Sequence, residues 1–398
     1  LHHGVVIPDK FMEIIHKATK EPGFDDSWEL IDPHSGEVKK VVSARTLWVK
    51  LLQNRMETGE PYLMFEDAVQ ADLPDFQKRK GLQVNHSNLC SEITLATDEE
   101  RTAVCCLSSV NLEYYDEWKK VPAFIPDLIR MLDNVLESFI QNAPPQLERA
   151  QFSAMRERSL GLGAMGFHAY LQKNGIPFES PIASAINYEI FDSIKSQAQN
   201  TTEELAVERG ACPDDDSCSV RNAHLLAIAP NASSSIICGN TSPSIEPYRA
   251  NAYTQKTKSG SYLQKNKFLE AVLETYGQNT DNTWKSIVTN KGSVQHLEFL
   301  SEEEREVFKT AVEINQSWVI EHASQRQPFI CQSQSVNLFF PPDVNKGELH
   351  NVHMLAWAKN MKTLYYLRSE AISRADNVSN KIKREIIFEQ QDCLSCEG

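Results

Sequence analysis

The sequence has no apolar run that approaches the roughly 20 residues needed to span a bilayer. It shows no secretory signal peptide, no internal repeat and no low-complexity segment. Residue 1 is leucine rather than methionine, so we expect a processed or trimmed piece of a longer chain. Together these absences predict a globular protein without a membrane partner.

Positive charge is also scarce. The 40 lysine and arginine residues stand against 54 aspartate and glutamate residues, which gives a net charge of -14. The basic residues are scattered rather than clustered, and an acidic surface repels phosphate backbones. The charge pattern therefore predicts no nucleic-acid partner.

A disulfide framework is a third absence. The nine cysteines are an odd number at irregular spacing, which is typical of a reducing cytoplasm where thiols stay available for chemistry. The hydrophobic share of 41% and the charged share of 24% are those of an ordinary globular chain. One large domain or two smaller ones would account for the length of 398 residues.

Hydrophobic periodicity and end signals predict the main elements. Helices are expected over residues 44–58, 125–140, 183–209, 301–325 and 348–361. Buried strands are expected over residues 62–65, 224–229 and 334–339. Buried strands that alternate with helices predict an α/β fold with parallel pairing.

One short segment carries most of the chemical information, Asn88-Leu89-Cys90-Ser91-Glu92. In an extended segment alternate side chains share a face, so Asn88, Cys90 and Glu92 are predicted to project together. That face would offer an amide, a thiol and a carboxylate, and Cys105 follows as a second sulfur. The alternative is a buried, inert cysteine beside chance polar residues.

Two further patterns each allow two interpretations. Pro230-Asn-Ala-Ser-Ser-Ser235 follows a buried strand, where small hydroxyl residues either cradle a phosphate or form an ordinary helix cap. Gly161, Gly163 and Gly166 spell G-x-G-x-x-G, the pattern of a dinucleotide-binding turn. The preceding residues 148–158 are polar and helix-like rather than a buried strand, so close helix packing explains these glycines better.

Two residue pairs near the C-terminus are also ambiguous. Tyr365-Tyr366 are either packed aromatic residues or oxidisable groups that couple electron and proton movement. Cys393-Leu-Ser-Cys396 is either half of a zinc site or a redox-active dithiol. Zinc takes about four ligands, and no second C-x-x-C or obvious histidine pair completes a site. The sequence therefore favours a dithiol and predicts no metal site.

These segments match a known family in order along the chain. Together with Arg158-Ser-Leu-Gly-Leu-Gly-Ala-Met-Gly166, Ser244-Ile-Glu-Pro247 and Lys362-Thr-Leu-Tyr-Tyr366, they resemble the large, catalytic subunit of class I ribonucleotide reductase. The resemblance runs from near residue 1 to the C-terminus and implies the C-terminal part of a ten-stranded α/β barrel made of two five-stranded halves. Residues 1–369 would form this part of the barrel, with a central finger loop around 85–95, and residues 370–398 a mobile redox tail.

The resemblance also implies roles for individual residues. Cys90 would carry a thiyl radical, Glu92 would be the base on the ribose 3'-hydroxyl, and Asn88 would orient the substrate. Cys105, rather than the adjacent Cys106, would be the reducing thiol, although a shift of one residue exchanges the two. The substrate diphosphate would be bound by Pro230, Asn231, Ala232, Ser233, Ser234 and Ser235.

The C-terminal pairs would connect this centre to its electron sources. Tyr365 and Tyr366 would relay a radical to Cys90 from a small subunit. Cys393 and Cys396 would reduce the active-site disulfide and then accept electrons from thioredoxin or glutaredoxin.

The implied reaction is the reduction of ribonucleoside diphosphates to deoxyribonucleoside diphosphates for DNA synthesis. The chain itself would bind no cofactor and would depend on a metal-radical cofactor in the small subunit. An N-terminal complement of the large subunit would supply the other half-barrel and the cysteine that pairs with Cys105. The competing hypothesis is a non-catalytic assembly module of a split reductase, and a zinc or nicotinamide enzyme is a third.

Overall fold

The computed structural model describes residues 2–257 and 260–369. These residues form an α/β fold, as the alternation of buried strands and helices predicts. The expected redox tail over 370–398, with Cys393 and Cys396, lies outside the described residues.

The strands are short, and most of them belong to pairs. They are β1 (Gly4–Ile7), β2 (Ser27–Ile31), β3 (Val38–Ser43), β4 (Tyr62–Phe65), β5 (Cys106–Asn111), β6 (Leu160–Met165), β7 (Ala252–Thr257), β8 (Gly260–Lys265), β9 (Leu338–Phe340), β10 (Thr363–Leu364) and β11 (Leu367–Ser369).

The helices vary from four to 29 residues. They are α1 (Asp9–Lys20), α2 (Ala44–Thr58), α3 (Glu66–Ala71), α4 (Asp75–Arg79), α5 (Tyr115–Trp118), α6 (Phe124–Asn142), α7 (Glu148–Glu157), α8 (Phe167–Lys173), α9 (Pro181–Arg209), α10 (Ala232–Ile237), α11 (Lys267–Thr275), α12 (Asp281–Thr289), α13 (Glu302–Val307), α14 (Gln316–Arg326) and α15 (Lys346–Ala358).

A parallel series of strands forms the centre of the fold. Strand β5 pairs with β6, and single parallel bridges join Leu162 to Leu226 and Ile228 to Gln334. Strand β9 then pairs in parallel with β11. Strand β10 turns to pair antiparallel with β4, which pairs in parallel with β1. Within the described residues, β1 and β5 each pair along one edge only.

Helices cover strand β6 because it is buried on both faces. All six residues of β6 are buried. Helix α6 buries Ile125, Ile129, Leu132 and Leu136, which recur at helical spacing on one face. Helix α6 packs against α9. The largest core cluster includes residues of both helices and of β6, so this packing fixes the strands that carry the site.

Several predicted elements occur at their expected positions. Helix α2 and strand β4 have the predicted bounds, because Ser43 caps the first turn of α2 and Gly59 ends it in a left-handed conformation. Residues 224–229 pair through backbone bonds and bridges rather than as a continuous strand.

The single helix predicted over 301–325 is wrong. Ser301 does begin α13 with a capping box, but the chain turns after Val307 and α14 begins only at Gln316. Within the turn Thr310 bonds to the Glu313 carboxylate, and the amide of Ala311 donates to the carbonyl of Tyr248 at 2.8 Å. These local and tertiary bonds replace those of a continuous helix.

The glycines of the G-x-G-x-x-G pattern pack strands, not helices. Gly161 and Gly163 lie inside β6, and a Cβ atom at Gly163 would come within 2.5 Å of the carbonyl oxygen of Ala227. Their absence of side chains lets β6 approach the segment that contains Ala227. The expectation of close packing holds, but the neighbour is a backbone segment rather than a helix.

Candidate active site

The finger loop is a turn rather than an extended segment. Ser91 has a φ of +68°, and its amide donates to the carbonyl of Asn88 at 3.2 Å. The loop is closed by the amide of Asn88, which donates to the carbonyl of Ile93 at 3.1 Å. The prediction that strand alternation aligns Asn88, Cys90 and Glu92 is therefore wrong, because a left-handed residue between them reverses the chain.

The turn nevertheless joins the amide to the carboxylate. The side chain of Asn88 hydrogen-bonds Glu92 and also accepts the amide of Ile93 at 3.1 Å. Glu92 is 2% exposed, and burial raises the pKa of its carboxyl group, although bonds from its own backbone, Asn88 and Ser335 oppose the rise. A carboxyl group with a raised pKa is a stronger base once it is ionised.

Cys90 faces a cluster of tyrosines, which comprises Tyr62, Tyr365 and Tyr366. The hydroxyl of Tyr365 donates to Cys90 Sγ at 3.6 Å. The ring centroids of Tyr365 and Tyr366 are 4.4 Å apart. Burial, followed by the nearby Cys90, raises the pKa of the Tyr365 phenol, so this residue keeps its proton. The structure thus places Cys90 in contact with the predicted tyrosine pair.

Sequence reasoning missed Tyr62 as a member of this cluster. Its ring lies 4.7 Å from that of Tyr365 and 4.9 Å from that of Tyr366, measured between centroids. The only signal was its place in the buried run 62–65, which became β4 and pairs with β10 directly before Tyr365.

The two adjacent cysteines face different surroundings. Cys105 packs with Ile93, Leu95 and Ala227, which places its side chain beside the finger loop. Cys106 begins β5 and packs against the main core. Glu92 is close enough to Cys105 to contribute to the rise of its pKa, which burial dominates. This arrangement favours Cys105 as the second sulfur of the site.

A polar segment over residues 332–337 holds the finger loop, and sequence reasoning missed it. The amide of Ser333 donates to the carbonyl of Glu92 at 2.8 Å. The hydroxyl of Ser335 donates to the carbonyl of Cys90 at 2.6 Å and lies 3.2 Å from Glu92 Oε2. Asn337 Oδ1 accepts the amide of Tyr366 at 3.1 Å. One segment therefore contacts the loop, its carboxylate and the tyrosine pair.

The segment Pro230–Ser235 contains the start of a helix, which begins before the serines rather than after them. Helix α10 begins at Ala232 after Asn231, which has a φ of +51°. The amide of Ser235 is bonded to the carbonyl of Asn231 at 3.0 Å, so the amides before it lie in the first turn, where a helix offers no carbonyl partners. Asn231 Oδ1 accepts the hydroxyl of Ser109 at 3.1 Å, which ties the segment to β5. First-turn backbone amides without carbonyl partners are the groups that bind anions at helix N-termini in general.

Cys331 differs from an ordinary buried thiol. Its sulfur accepts the amides of Leu225 and Leu226 at 3.0 and 3.2 Å. Burial alone would raise its pKa, but Lys195, His224 and the amide of Leu225 lower it to about 6.

Two further features are absent from the part of the chain that the structure describes. There, no group of three or more histidine, cysteine, aspartate or glutamate side chains could hold a metal ion. No helix within the same residues is long and apolar enough to cross a membrane.

Comparisons with known proteins identify a family for the chain. The family model described as ribonucleotide reductase, barrel domain, matches residues 1–219 and 216–367. A Frog virus 3 (isolate Goorha) protein, provisionally named a ribonucleoside-diphosphate reductase large subunit, is 47% identical over 401 residues, which cover 100% of this chain and 69% of that protein. The ribonucleoside-diphosphate reductase large subunit of Invertebrate iridescent virus 3 is 48% identical over 374 residues, 93% of this chain and 59% of that protein.

A solved structure gives the same result. The alpha subunit of the Actinobacillus ureae class Id ribonucleotide reductase matches with a TM-score of 0.82 at 39% identity, over 94% of this chain and 66% of that chain. The chain therefore spans between 59% and 69% of the length of these three proteins.

Proposed function

The chain belongs to the ribonucleotide reductase barrel-domain family, and on that premise we propose that it carries the catalytic centre of a class I ribonucleoside-diphosphate reductase. Its substrates are ribonucleoside diphosphates and its products the corresponding deoxyribonucleoside diphosphates. The observation that carries the proposal is the contact of Cys90 with Tyr365 on one side of a loop that also presents Asn88 and Glu92.

In the proposed reaction, Cys90 acts as a thiyl radical that removes the 3'-hydrogen of the ribose and becomes a thiol. Glu92 takes the proton of the 3'-hydroxyl, which allows the 2'-hydroxyl to leave as water. Asn88 orients the substrate, and its bond to Glu92 fixes the two groups together. Two thiols supply two electrons and two protons and become a disulfide. Glu92 returns its proton to the 3'-oxygen, and Cys90 returns its hydrogen atom to C3'.

Cys105 is one of the two reducing thiols in this scheme. Its partner is a cysteine of an N-terminal complement that supplies further barrel strands. Strands β1 and β5 support this requirement, because within the described residues each leaves one edge unpaired. An unpaired edge offers a row of backbone donors and acceptors that another strand can use.

Tyr365 and Tyr366 form the path by which Cys90 becomes a radical. Their rings are in contact, and the hydroxyl of Tyr365 reaches the sulfur directly. A small subunit that holds a metal-radical cofactor is the source of the oxidising equivalent, and this chain holds no cofactor of its own. The backbone amides around Pro230–Ser235 bind the substrate diphosphate at the start of α10.

Cys393 and Cys396 complete the redox cycle, in a tail over 370–398 that thioredoxin or glutaredoxin re-reduces in the cytoplasm. We expect Cys393→Ser or Cys396→Ser to stop turnover driven by thioredoxin and to spare turnover driven by a small dithiol. The measurement is deoxycytidine diphosphate formed with each reductant. Equal loss with both reductants would contradict the role of the tail.

The first test of the function is cytidine diphosphate reduction by this chain and a small subunit, with and without an N-terminal half expressed as a second chain. We expect deoxycytidine diphosphate only when all three are mixed. If both partners bind and no mixture is active, the chain is a non-catalytic assembly module instead.

A further inference from the structure

Gln332 is directed at the sulfur of Cys105. Its Nε2 lies 3.2 Å from Cys105 Sγ and 2.9 Å from the carbonyl oxygen of Leu160. Gln332 is fully buried, whereas Cys105 is partly exposed. A buried amide therefore contacts the thiol of a residue that is itself only partly buried.

The orientation of the Gln332 amide follows from its second contact. The carbonyl of Leu160 accepts a hydrogen bond and cannot donate one, so it must face the NH₂ group. With one hydrogen on Leu160, the other hydrogen of the same NH₂ is available to Cys105 Sγ. The thiol of Cys105 has a carbonyl acceptor for its own proton in Cys106, at 3.9 Å, so the sulfur lone pairs are free to accept.

The backbone of Gln332 is held on both sides. Its amide donates to the carbonyl of Leu226 at 3.1 Å. Its carbonyl accepts Lys362 Nζ at 2.6 Å, and the same ammonium group also bonds the carbonyls of Ile330 and Cys331 at 3.2 and 3.0 Å. Lys362 is itself buried and paired with Asp72. Because these bonds fix the main chain of Gln332, only its side-chain torsions must be ordered for the amide to stay directed at Cys105 Sγ.

The surroundings of Cys105 disfavour its thiolate, so a hydrogen-bond donor to the sulfur stabilises that form. Burial is the main cause of its raised pKa, and Cys106, Glu92 and Glu157 raise it further, whereas the Gln332 amide lowers it. In thiol–disulfide exchange an attacking thiolate forms a new S–S bond and the displaced sulfur leaves as a thiolate. A hydrogen bond to that sulfur stabilises the negative charge that acids nearby oppose.

We propose that Gln332 is a positioning residue for Cys105. The side-chain N–H of Gln332 orients the Cys105 sulfur and stabilises its thiolate form during exchange with an incoming dithiol. The inference rests on the proposed role of Cys105 as a reducing thiol. The proposed contact between Gln332 and Cys105 is local, and it does not depend on the radical chemistry at Cys90.

The test is the rate at which iodoacetamide alkylates Cys105 in the full chain at pH 8.5, followed by mass spectrometry with fragment ions that separate Cys105 from Cys106. Gln332→Met removes the donor, and Gln332→Glu replaces it with a negative charge of nearly the same shape. We expect the rate to fall by about three- to tenfold in the methionine variant, because a lost hydrogen bond reduces the thiolate fraction while the remaining thiolate is more nucleophilic. The glutamate variant should be slower still.

Gln334→Glu is the matched control. Gln334 is equally buried on the same segment but bonds Ala323 and Arg326 of α14, so its substitution should leave the rate at Cys105 unchanged. All variants should react equally in urea, where the contact is absent. A Gln332→Glu rate equal to that of the wild type would overturn the inference, because shape alone would then explain the contact.

The same experiment separates this inference from the proposed function. Alkylation needs neither the small subunit nor the N-terminal half. If the complemented enzyme is inactive but the order wild type, methionine, glutamate holds, the Gln332 contact stands and the reductase proposal fails. If turnover is normal and the three rates agree within twofold, the reductase proposal stands and the proposed role of Gln332 fails.

Discussion

The two sulfurs of the site lie in contrasting surroundings. Cys90 is 3% exposed and faces tyrosine rings, with the Tyr365 hydroxyl as its hydrogen-bond donor. Cys105 is partly exposed and faces a polar segment, with the Gln332 amide as its donor. A radical needs a dry site with oxidisable neighbours, whereas disulfide exchange needs access for a second sulfur and a donor for the thiolate. Under the proposed function, this contrast would separate the one-electron chemistry of Cys90 from the two-electron chemistry of Cys105.

The largest effect on this contrast is expected from the replacement of Cys90, the sulfur proposed to carry the radical. Cys90→Ser should abolish cytidine diphosphate reduction by the complemented enzyme, because a hydroxyl group does not replace the thiol in hydrogen-atom transfer. Cys238→Ser, at an exposed cysteine, should keep full turnover as the matched control. Wild-type turnover in Cys90→Ser with an unchanged melting curve would refute the radical assignment.

The tyrosine side of the contrast is tested by Tyr366→Phe. The variant keeps the ring contacts with Tyr62 and Tyr365 but has no oxidisable phenol, so turnover should fall to background while the fold persists. Tyr115→Phe also loses one hydroxyl, bonded to Glu189 at 3.2 Å, from a buried ring on the helical side of the core. If Tyr115→Phe is active and Tyr366→Phe is equally active, Tyr366 is excluded from the radical path to Cys90.

The thiol side is tested sterically by Gly161→Ala. The added Cβ would come within 2.8 Å of Cys105 Sγ and 2.5 Å of Leu107 Cδ2, so these side chains must move. We expect a loss of about 1–3 kcal/mol in the free energy of unfolding, as is typical of overpacking. Urea unfolding followed by circular dichroism measures it. Gly4→Ala, where nothing lies within 4 Å of the new atom, should change stability far less.

The smallest effect is expected at Ser335, which contacts both the Cys90 carbonyl and the Glu92 carboxylate. Its hydroxyl is one of the groups that keep the pKa of Glu92 from rising further. Ser335→Ala should therefore raise that pKa, and the acid limb of the pH–rate profile should move to higher pH by about one unit at most. Ser333→Ala is the control, because its hydroxyl bonds Thr363 and not the carboxylate. An unchanged acid limb in Ser335→Ala would exclude this contact as a determinant of the pKa.

Local signals in the sequence predicted part of this structure. The periodicity of residues 44–58 and the glycine that follows them predict helix α2, and the order of the motifs along the chain predicts the family. The shape of the finger loop was not predictable, because nothing in Asn88–Glu92 indicates that Ser91 adopts a left-handed conformation. Gln332 and Ser335 were missed for a different reason. They are 227 and 243 residues from the groups they contact, and such pairs exist only after the parallel strands assemble.

Strands β1 and β5, each with one edge unpaired within the described residues, have a consequence for handling the protein. An unpaired strand edge also accepts a second copy of the chain, so isolated chains compete to pair with one another. The net charge of -14 opposes that encounter by mutual repulsion. Added salt shortens the reach of the repulsion, to about 8 Å at physiological ionic strength. Colloidal stability of the isolated chain should therefore fall as salt rises, and storage at low ionic strength should preserve the monomer.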